Sequence, residues 1–296
     1  MLDAIIVGGS YAGLSAALQL ARARRRILVI DGGSRRNRFA ETAHGFLTQD
    51  GRAPGAIVAE ARAQLLAYPS VEWLDARAER AEKTEGGFAV VLGKGDRFEA
   101  RRLVLATGVV DELPELPGLA ERWGKSVFHC PYCHGYELDN GRIGVLAVSA
   151  LSMHHALMLP DWGPTTFFLN GAFTPDAEQA EQLRKRCVTV ETERIARISG
   201  DHADIELRDG RVIALSGLFT VTRTKASAPF AEQLGCVMED EPLGRFIRTD
   251  ASKETTVPGV FACGDAALAA GSVAHAVGDG ATAGVGAHGS LLFQDD

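Results

Sequence analysis

The first 31 residues constrain the fold more than any other stretch of this 296-residue chain. Residues 3–7 form an apolar run, Ala4-Ile5-Ile6-Val7 at its heart, that reads as a buried strand, and Gly8-Gly9-Ser10-Tyr11-Ala12-Gly13 follows directly. Residues 13–24 then place Leu14, Ala17, Leu18 and Ala21 at helical spacing. A second strand over 26–30 ends at Asp31. Strand, glycine turn, helix, strand and an acidic residue about 20 positions on make the βαβ unit that binds adenosine dinucleotides. Gly8 permits the tight turn, Gly13 lets helix and strand pack closely, and the helix N-terminus offers N–H groups to a pyrophosphate. The Asp31 carboxylate can accept from a ribose 2′-hydroxyl and disfavours a 2′-phosphate, so the ligand is FAD or NAD. Ser10 stands where a glycine normally lets the backbone approach the phosphate.

The same layout recurs further on. Residues 88–92 and 97–100 flank a Gly93-Lys94-Gly95-Asp96 turn as a hairpin that runs into Leu103-Val104-Leu105-Ala106-Thr107-Gly108. A second copy then begins with a strand over 142–146 and a helix-like stretch over 151–159. It continues with a hairpin of 203–207 and 211–215 and closes on a strand over 218–222. Residues 257–265 form a strand ending in Gly264-Asp265, before a glycine- and alanine-rich helix over 272–288. Those small residues suit either close approach to a flat ligand or a tightly packed core helix. The fold class is α/β, with two Rossmann-like dinucleotide-binding domains.

Between the copies stands Cys130-Pro131-Tyr132-Cys133-His134. Two thiols three residues apart can close a small redox disulfide, but C-x-x-C-H is also the attachment signature of c-type haem and half of a zinc site. Five cysteines, with Cys187, Cys236 and Cys263 scattered singly, do not make a disulfide framework. The apolar run at the N-terminus is too short for an export signal, which disfavours haem, and no second ligand pair is present for zinc. Redox chemistry is favoured. A net charge of −7 gives no footprint for nucleic acid, and no stretch is long enough to span a membrane, so the expected compartment is the cytoplasm.

With these pieces in order, the chain resembles the low-molecular-weight thioredoxin reductases, FAD-dependent members of the pyridine nucleotide-disulfide oxidoreductases, over nearly its whole length. The resemblance is carried by Gly8 to Gly13, Ala106-Thr107-Gly108, Cys130 to Cys133, and the strand ending in Gly264-Asp265. It implies a discontinuous FAD domain, residues 1–114 and 226–296, an NADPH-domain-like insert over 115–225 carrying the C-x-x-C, and a homodimer. It places Gly8, Ser10, Ala12, Gly13, Asp31, Thr107, Gly108, Gly264 and Asp265 at the FAD. His275-Ala276-Val277 would start a helix pointing at the isoalloxazine. Cys133 would be the sulfur beside the flavin and Cys130 the one that attacks substrate. His134 stands where these reductases carry an aspartate acid, which assigns it acid–base duty near pH 7, with His129 as a second candidate.

One departure decides the direction of the reading. Where the second copy should carry a glycine loop for NADPH, the chain has Ala147-Val148-Ser149-Ala150-Leu151-Ser152, and no basic residue follows the next strand before Arg184. Conventional NADPH binding is therefore not expected. This shifts the resemblance toward the branch that includes the dithiol oxidases of gliotoxin and holomycin biosynthesis, which share the run Cys133-His134-Gly135-Tyr136-Glu137. Residues 37–47 also resemble that branch, either lining the substrate side of the flavin or packing as a plain loop. The expected activity is oxidation of a small-molecule dithiol with oxygen as acceptor. The alternatives are a thioredoxin-disulfide reductase using NADPH atypically or another donor such as ferredoxin, and a catalytically idle flavoprotein acting as a redox sensor.

Overall fold

A computed structural model describes residues 1–269 and 271–293, and the chain separates into two units. The first gathers Met1–Arg38, Gly45–Val110 and the chain from Thr224 onward; the second gathers Phe39–His44 and Asp111–Arg223.

In the first unit the strand Leu2–Val7 lies at the sheet centre, parallel to Ile27–Asp31 on one side and to Arg97–Leu105 on the other. Val71–Asp75 continues the sheet beyond Ile27–Asp31. Arg97–Leu105 is one continuous strand whose far edge is shared. Its first half pairs antiparallel with Gly87–Leu92, and its second half pairs parallel with Val260–Ala262. Ile5, Ile6, Leu103 and Phe261 are fully buried, as expected of strands covered on both faces, whose sequences run apolar without alternation.

The first helix spans Tyr11–Arg22, starting two residues ahead of its apolar pattern because extended Ser10 serves as its N-cap. The glycines of the turn are sterically required. Gly8 has φ +109°, and a β-carbon there would lie 2.2 Å from the Ala106 carbonyl oxygen; at Gly13 one would lie 1.8 Å from the Gly8 oxygen. The C-terminal helix, Val273–Phe293, runs beyond the expected 272–288. A β-carbon at Gly280 would meet the Ala12 carbonyl oxygen at 2.1 Å, and one at Gly284 the Ala16 oxygen at 2.5 Å. Of the two readings of its small residues, tight packing against the first helix accounts for these two glycines.

The second unit has a parallel sheet in the order Thr189–Glu191, Thr165–Phe168, Ile143–Leu146, Gly217–Thr220, Val127–Phe128. A three-stranded antiparallel sheet of Ile195–Ser199, Asp204–Leu207 and Val212–Ile213 accompanies it. Phe167, Phe168 and Phe219 fill its core. The helix-like stretch after Ile143–Leu146 is broken into a 3-10 turn at Ala150–Ser152, a short α-helix at Met153–Met158 and a second 3-10 turn at Leu159–Asp161. Pro160 lacks the N–H needed to carry the helix on. No helix among the described residues is long and apolar enough to cross a membrane.

Candidate active site

All the residues expected to hold a dinucleotide lie in the first unit. The first helix begins without a side-chain cap and without an acidic residue in its first turn, and its first backbone bond runs from Leu14 N–H to the Ser10 oxygen. The amides before Leu14 therefore have no partner within the helix, the arrangement that receives a pyrophosphate. Asp31 Oδ1 accepts from the Gly9 and Gly33 amides at 3.1 and 3.2 Å, which ties the glycine turn to the end of the second strand. Gly9 itself is pinned by Trp73, whose ring would lie 2.4 Å from a β-carbon there. Gly108, at φ +67°, faces open space, so a ligand can approach its backbone. Thr107 is held through its carbonyl, which accepts from Ser227 Oγ.

Two of the remaining dinucleotide candidates, Gly264 and Val277, touch the same helix. Gly264 sits against Ala12, where a β-carbon would come within 2.8 Å of the Ala12 methyl and 3.9 Å of the Ala276 methyl. Val277 accepts through its carbonyl from Ser15 Oγ at 2.7 Å. His275 is exposed in the first turn of the last helix, with its N–H on Ser272 Oγ. Asp265 accepts from the Arg36 guanidinium at 2.9 Å. The set fits an adenosine dinucleotide: open helix amides, a carboxylate at the end of the second strand, and a backbone cleared of side chains.

In the second unit Cys130 and Cys133 form a disulfide across the start of the short helix Pro131–His134. The His134 ring stacks on Phe128 with centroids 4.3 Å apart, and His129 stacks on Trp123 at 5.9 Å. Burial, with nearby His44 as the smaller cause, lowers the His134 pKa from 6.5 to about 4. At pH 7 the imidazole is neutral and can only accept a proton. Burial with the disulfide closed thus holds this group below the neutral range expected of it. His44 pairs through Nδ1 with Glu137 Oε1 at 3.3 Å, so the segment Phe39–His44 brings an imidazole onto the Cys-His-Gly-Tyr-Glu run. Tyr132 and Tyr136, 73% and 84% exposed, stand on either side of Cys133 and His134 in sequence.

The stretch 147–152 is closed upon itself. Val148 N–H donates to Ser152 Oγ at 3.0 Å, Leu151 N–H to Ser149 Oγ at 3.2 Å, and Ser152 N–H to the Ser149 carbonyl. Amides that would otherwise face a phosphate are thus satisfied by the loop's own hydroxyls, and Leu151 is 47% exposed. After the next strand, the Asn170 side chain accepts from Ile195 N–H, and a β-carbon at Gly171 would lie 2.7 Å from the Arg194 guanidinium. Sequence order hides that arginine, since it comes from another part of the chain.

Sequence reasoning also missed Arg36, Lys253, Asp279 and His155. Asp279 is buried, bonded to Gly264 N–H at 2.8 Å and to the Lys253 ammonium. His155 is buried, hydrogen-bonded to the His129 backbone, and lowered by burial to about 4. None of these carries a local signature. Cys187 is exposed, whereas Cys236 and Cys263 are buried, and burial pushes the Cys263 thiol far up, as suits an inert core residue. No cluster of three or more metal-ligating side chains occurs among the described residues.

The chain is similar to known proteins over nearly its whole length. The pyridine nucleotide-disulphide oxidoreductase family matches residues 2–280. Thioredoxin reductase aclD of Aspergillus oryzae is 32% identical over 100% of this chain and 98% of its own length. An oxidoreductase from Agrobacterium tumefaciens is 59% identical, with a TM-score of 0.97 and 99% of each chain covered. The structure of HlmI is 36% identical with a TM-score of 0.91, covering 98% of this chain and 92% of that one. A match of this extent settles membership: the chain belongs to the pyridine nucleotide-disulphide oxidoreductases and is an FAD-dependent disulfide oxidoreductase of the thioredoxin reductase type.

Proposed function

We propose that this chain is a dithiol oxidase: it takes two electrons from a small organic dithiol through Cys130–Cys133 and does not draw on NADPH in the usual way. The observation that carries the reading is the closure of residues 147–152 on their own hydroxyls, in a unit that keeps its redox disulfide. A substrate thiolate attacks Cys130, the Cys130–Cys133 bond breaks, and Cys133 leaves as a thiolate. Neutral His134 takes a substrate proton. A thiolate forming nearby raises the pKa of an imidazole, so proton uptake and bond cleavage reinforce each other. The second substrate thiol then attacks the mixed disulfide, releasing cyclised substrate and the Cys130 thiolate. FAD, held by the glycine turn, Asp31 and Asp265, would supply a two-electron acceptor for re-forming the disulfide, with dioxygen as final oxidant and hydrogen peroxide as product. Exposed Tyr132 and Tyr136 suit a substrate with an apolar body.

In this reading the dinucleotide residues of the first unit hold FAD and the enzyme works as a homodimer. Anaerobic addition of a dithiol should bleach the flavin absorbance, and air should restore it with one peroxide per substrate disulfide. Rapid bleaching by NADPH alone would sink the proposal. That outcome belongs to the second reading, a reductase using NADPH atypically, which the Arg194 guanidinium beside Gly171 favours. A cation there could meet a 2′-phosphate.

A further inference from the structure

The last helix carries a buried charge that its packing does not need. Gly280 and Gly284 make the close contacts with the first helix, yet Asp279, between Gly278 and Gly280, is only 8% exposed. Its Oδ2 accepts from Gly264 N–H at 2.8 Å and its Oδ1 is paired with the Lys253 ammonium. Lys253 is itself fixed, with φ +68°, its N–H on the Asp250 carbonyl and its own carbonyl accepting from Ala262 N–H. The Asp250 carboxylate in turn holds the Ser252 and Glu254 amides. A braced turn therefore presents one cation to one buried carboxylate, and that carboxylate grips the first residue of the Gly264–Ala266 turn.

Burying an ion pair costs desolvation that well-packed apolar residues avoid, so such a pair is weak evidence of a stabilising role. What an apolar pair cannot do is hold a backbone amide at a set position and angle. Gly264, at φ +68° and against Ala12, is the residue whose orientation sets where the Asp265 carboxylate points. We infer that Lys253 and Asp279 form a positioning pair that fixes the Gly264-Asp265 turn for FAD. Their contribution is to cofactor retention and not to the stability of the fold. The inference rests on the reading that places FAD at the first unit's glycine turn and Asp265.

The test is FAD release from purified holoenzyme after dilution, followed by the rise of free-flavin fluorescence, with the melting temperature measured in parallel. The double variant Lys253→Met/Asp279→Leu removes both charges and keeps the volume. It should melt within a few degrees of the parent yet release FAD at least tenfold faster. Asp279→Asn, which keeps an oxygen for Gly264, should release FAD several-fold faster. If the double variant folds and retains FAD as the parent does, the inference is overturned. If it does not fold, a parental release rate in Asp279→Asn overturns it instead. A parent protein that purifies without FAD, and takes none up, would defeat the cofactor reading itself.

Discussion

Residues 7–13 and 146–152 occupy the same place in two copies of one layout, after the central strand of a parallel sheet and before a helix. They differ in where their amides go. In the first, the Ser10 side chain makes no capping bond, the amides ahead of Leu14 have no partner within the helix, and a carboxylate at Asp31 steadies the turn from outside. In the second, Ser149 and Ser152 turn inward and consume the Leu151 and Val148 amides. A phosphate site needs donors left over once the fold is satisfied. Swapping glycine for serine does not by itself remove them, since Ser10 sits in the open loop. What removes them is the direction in which the hydroxyl points.

The strongest test of the open loop is Gly13→Val. Its first side-chain carbon alone would fall 1.8 Å from the Gly8 oxygen, so helix and strand must part. The cost should exceed about 4 kcal/mol, the range that marks a few severe mechanisms, and no flavin-loaded protein should be recovered. A substitution of the same size at a solvent-facing position of the closed loop, Ala150→Val, should leave expression and flavin content unchanged. Yellow, soluble Gly13→Val protein would show that the two loops are not sterically different in kind.

Acid should separate the two units next. His134 and His155 both belong to the second unit, and both are lowered from 6.5 to about 4. Between those values the unfolded chain binds protons that the folded chain refuses, so stability present above pH 6.5 is lost as pH falls toward 4. Each group can account for about 3 kcal/mol over the window, at 1.36 kcal/mol per pKa unit. Trp123 and Trp162 report on the second unit and Trp73 on the first. With Trp73 replaced by Phe, urea midpoints read from the remaining tryptophans should fall between pH 7 and pH 4.5. Replacing His155 by Phe, which keeps a ring in the core and removes the titrating group, should flatten part of that fall. A midpoint that does not move with pH would contradict the lowered values.

What could be read in advance divides along the same line between local and distant causes. Gly13 is legible because its own turn demands it through the Gly8 carbonyl, and Gly8 is legible through its φ of +109°, although the carbonyl that excludes a β-carbon at Gly8 is that of Ala106, far along the chain. Gly9 is not legible: its reason is the ring of Trp73, which arrives from a strand more than sixty residues on. The glycine-rich last helix shows the same gap, since spacing cannot say whether a small side chain makes room for a ligand or for Ala12 and Ala16. The motif singles out His134 as a candidate proton carrier. Its protonation state is not legible there, because burial against Phe128 sets it. Lys253 and Asp279 have no pattern at all. A buried ion pair formed across 26 positions leaves no periodicity, and either residue alone reads as surface.

Ser152→Ala asks what keeps the second loop shut. Ser152 is fully buried, and its loss leaves the Val148 amide without a partner, at about 1–3 kcal/mol for an unsatisfied buried donor. Val148 is partly exposed, so water can reach the amide and the cost should sit near the low end, about 1 kcal/mol, read as a drop of a few degrees in melting temperature. The dithiol-dependent rate should be unchanged. If Ser152→Ala instead acquires NADPH-dependent flavin bleaching, hydroxyl closure alone separates oxidase from reductase.

The smallest effect is expected at Arg194, and it decides whether any phosphate chemistry survives in the second copy. Its guanidinium beside Gly171 is the kind of group that holds a 2′-phosphate, but it can pull on a nucleotide only if the adjoining loop receives the pyrophosphate. With that loop closed, a lone exposed cation gains little more than a surface ion pair would, about 0–1 kcal/mol. Arg194→Ala should therefore change dithiol oxidation less than twofold, and NADPH should quench the protein's fluorescence no better with the arginine than without it. A parent that binds NADPH in the micromolar range, with affinity lost in Arg194→Ala and indifference to NADH, would show that the closed loop opens on demand. The contrast between the two loops would then be one of resting state and not of function.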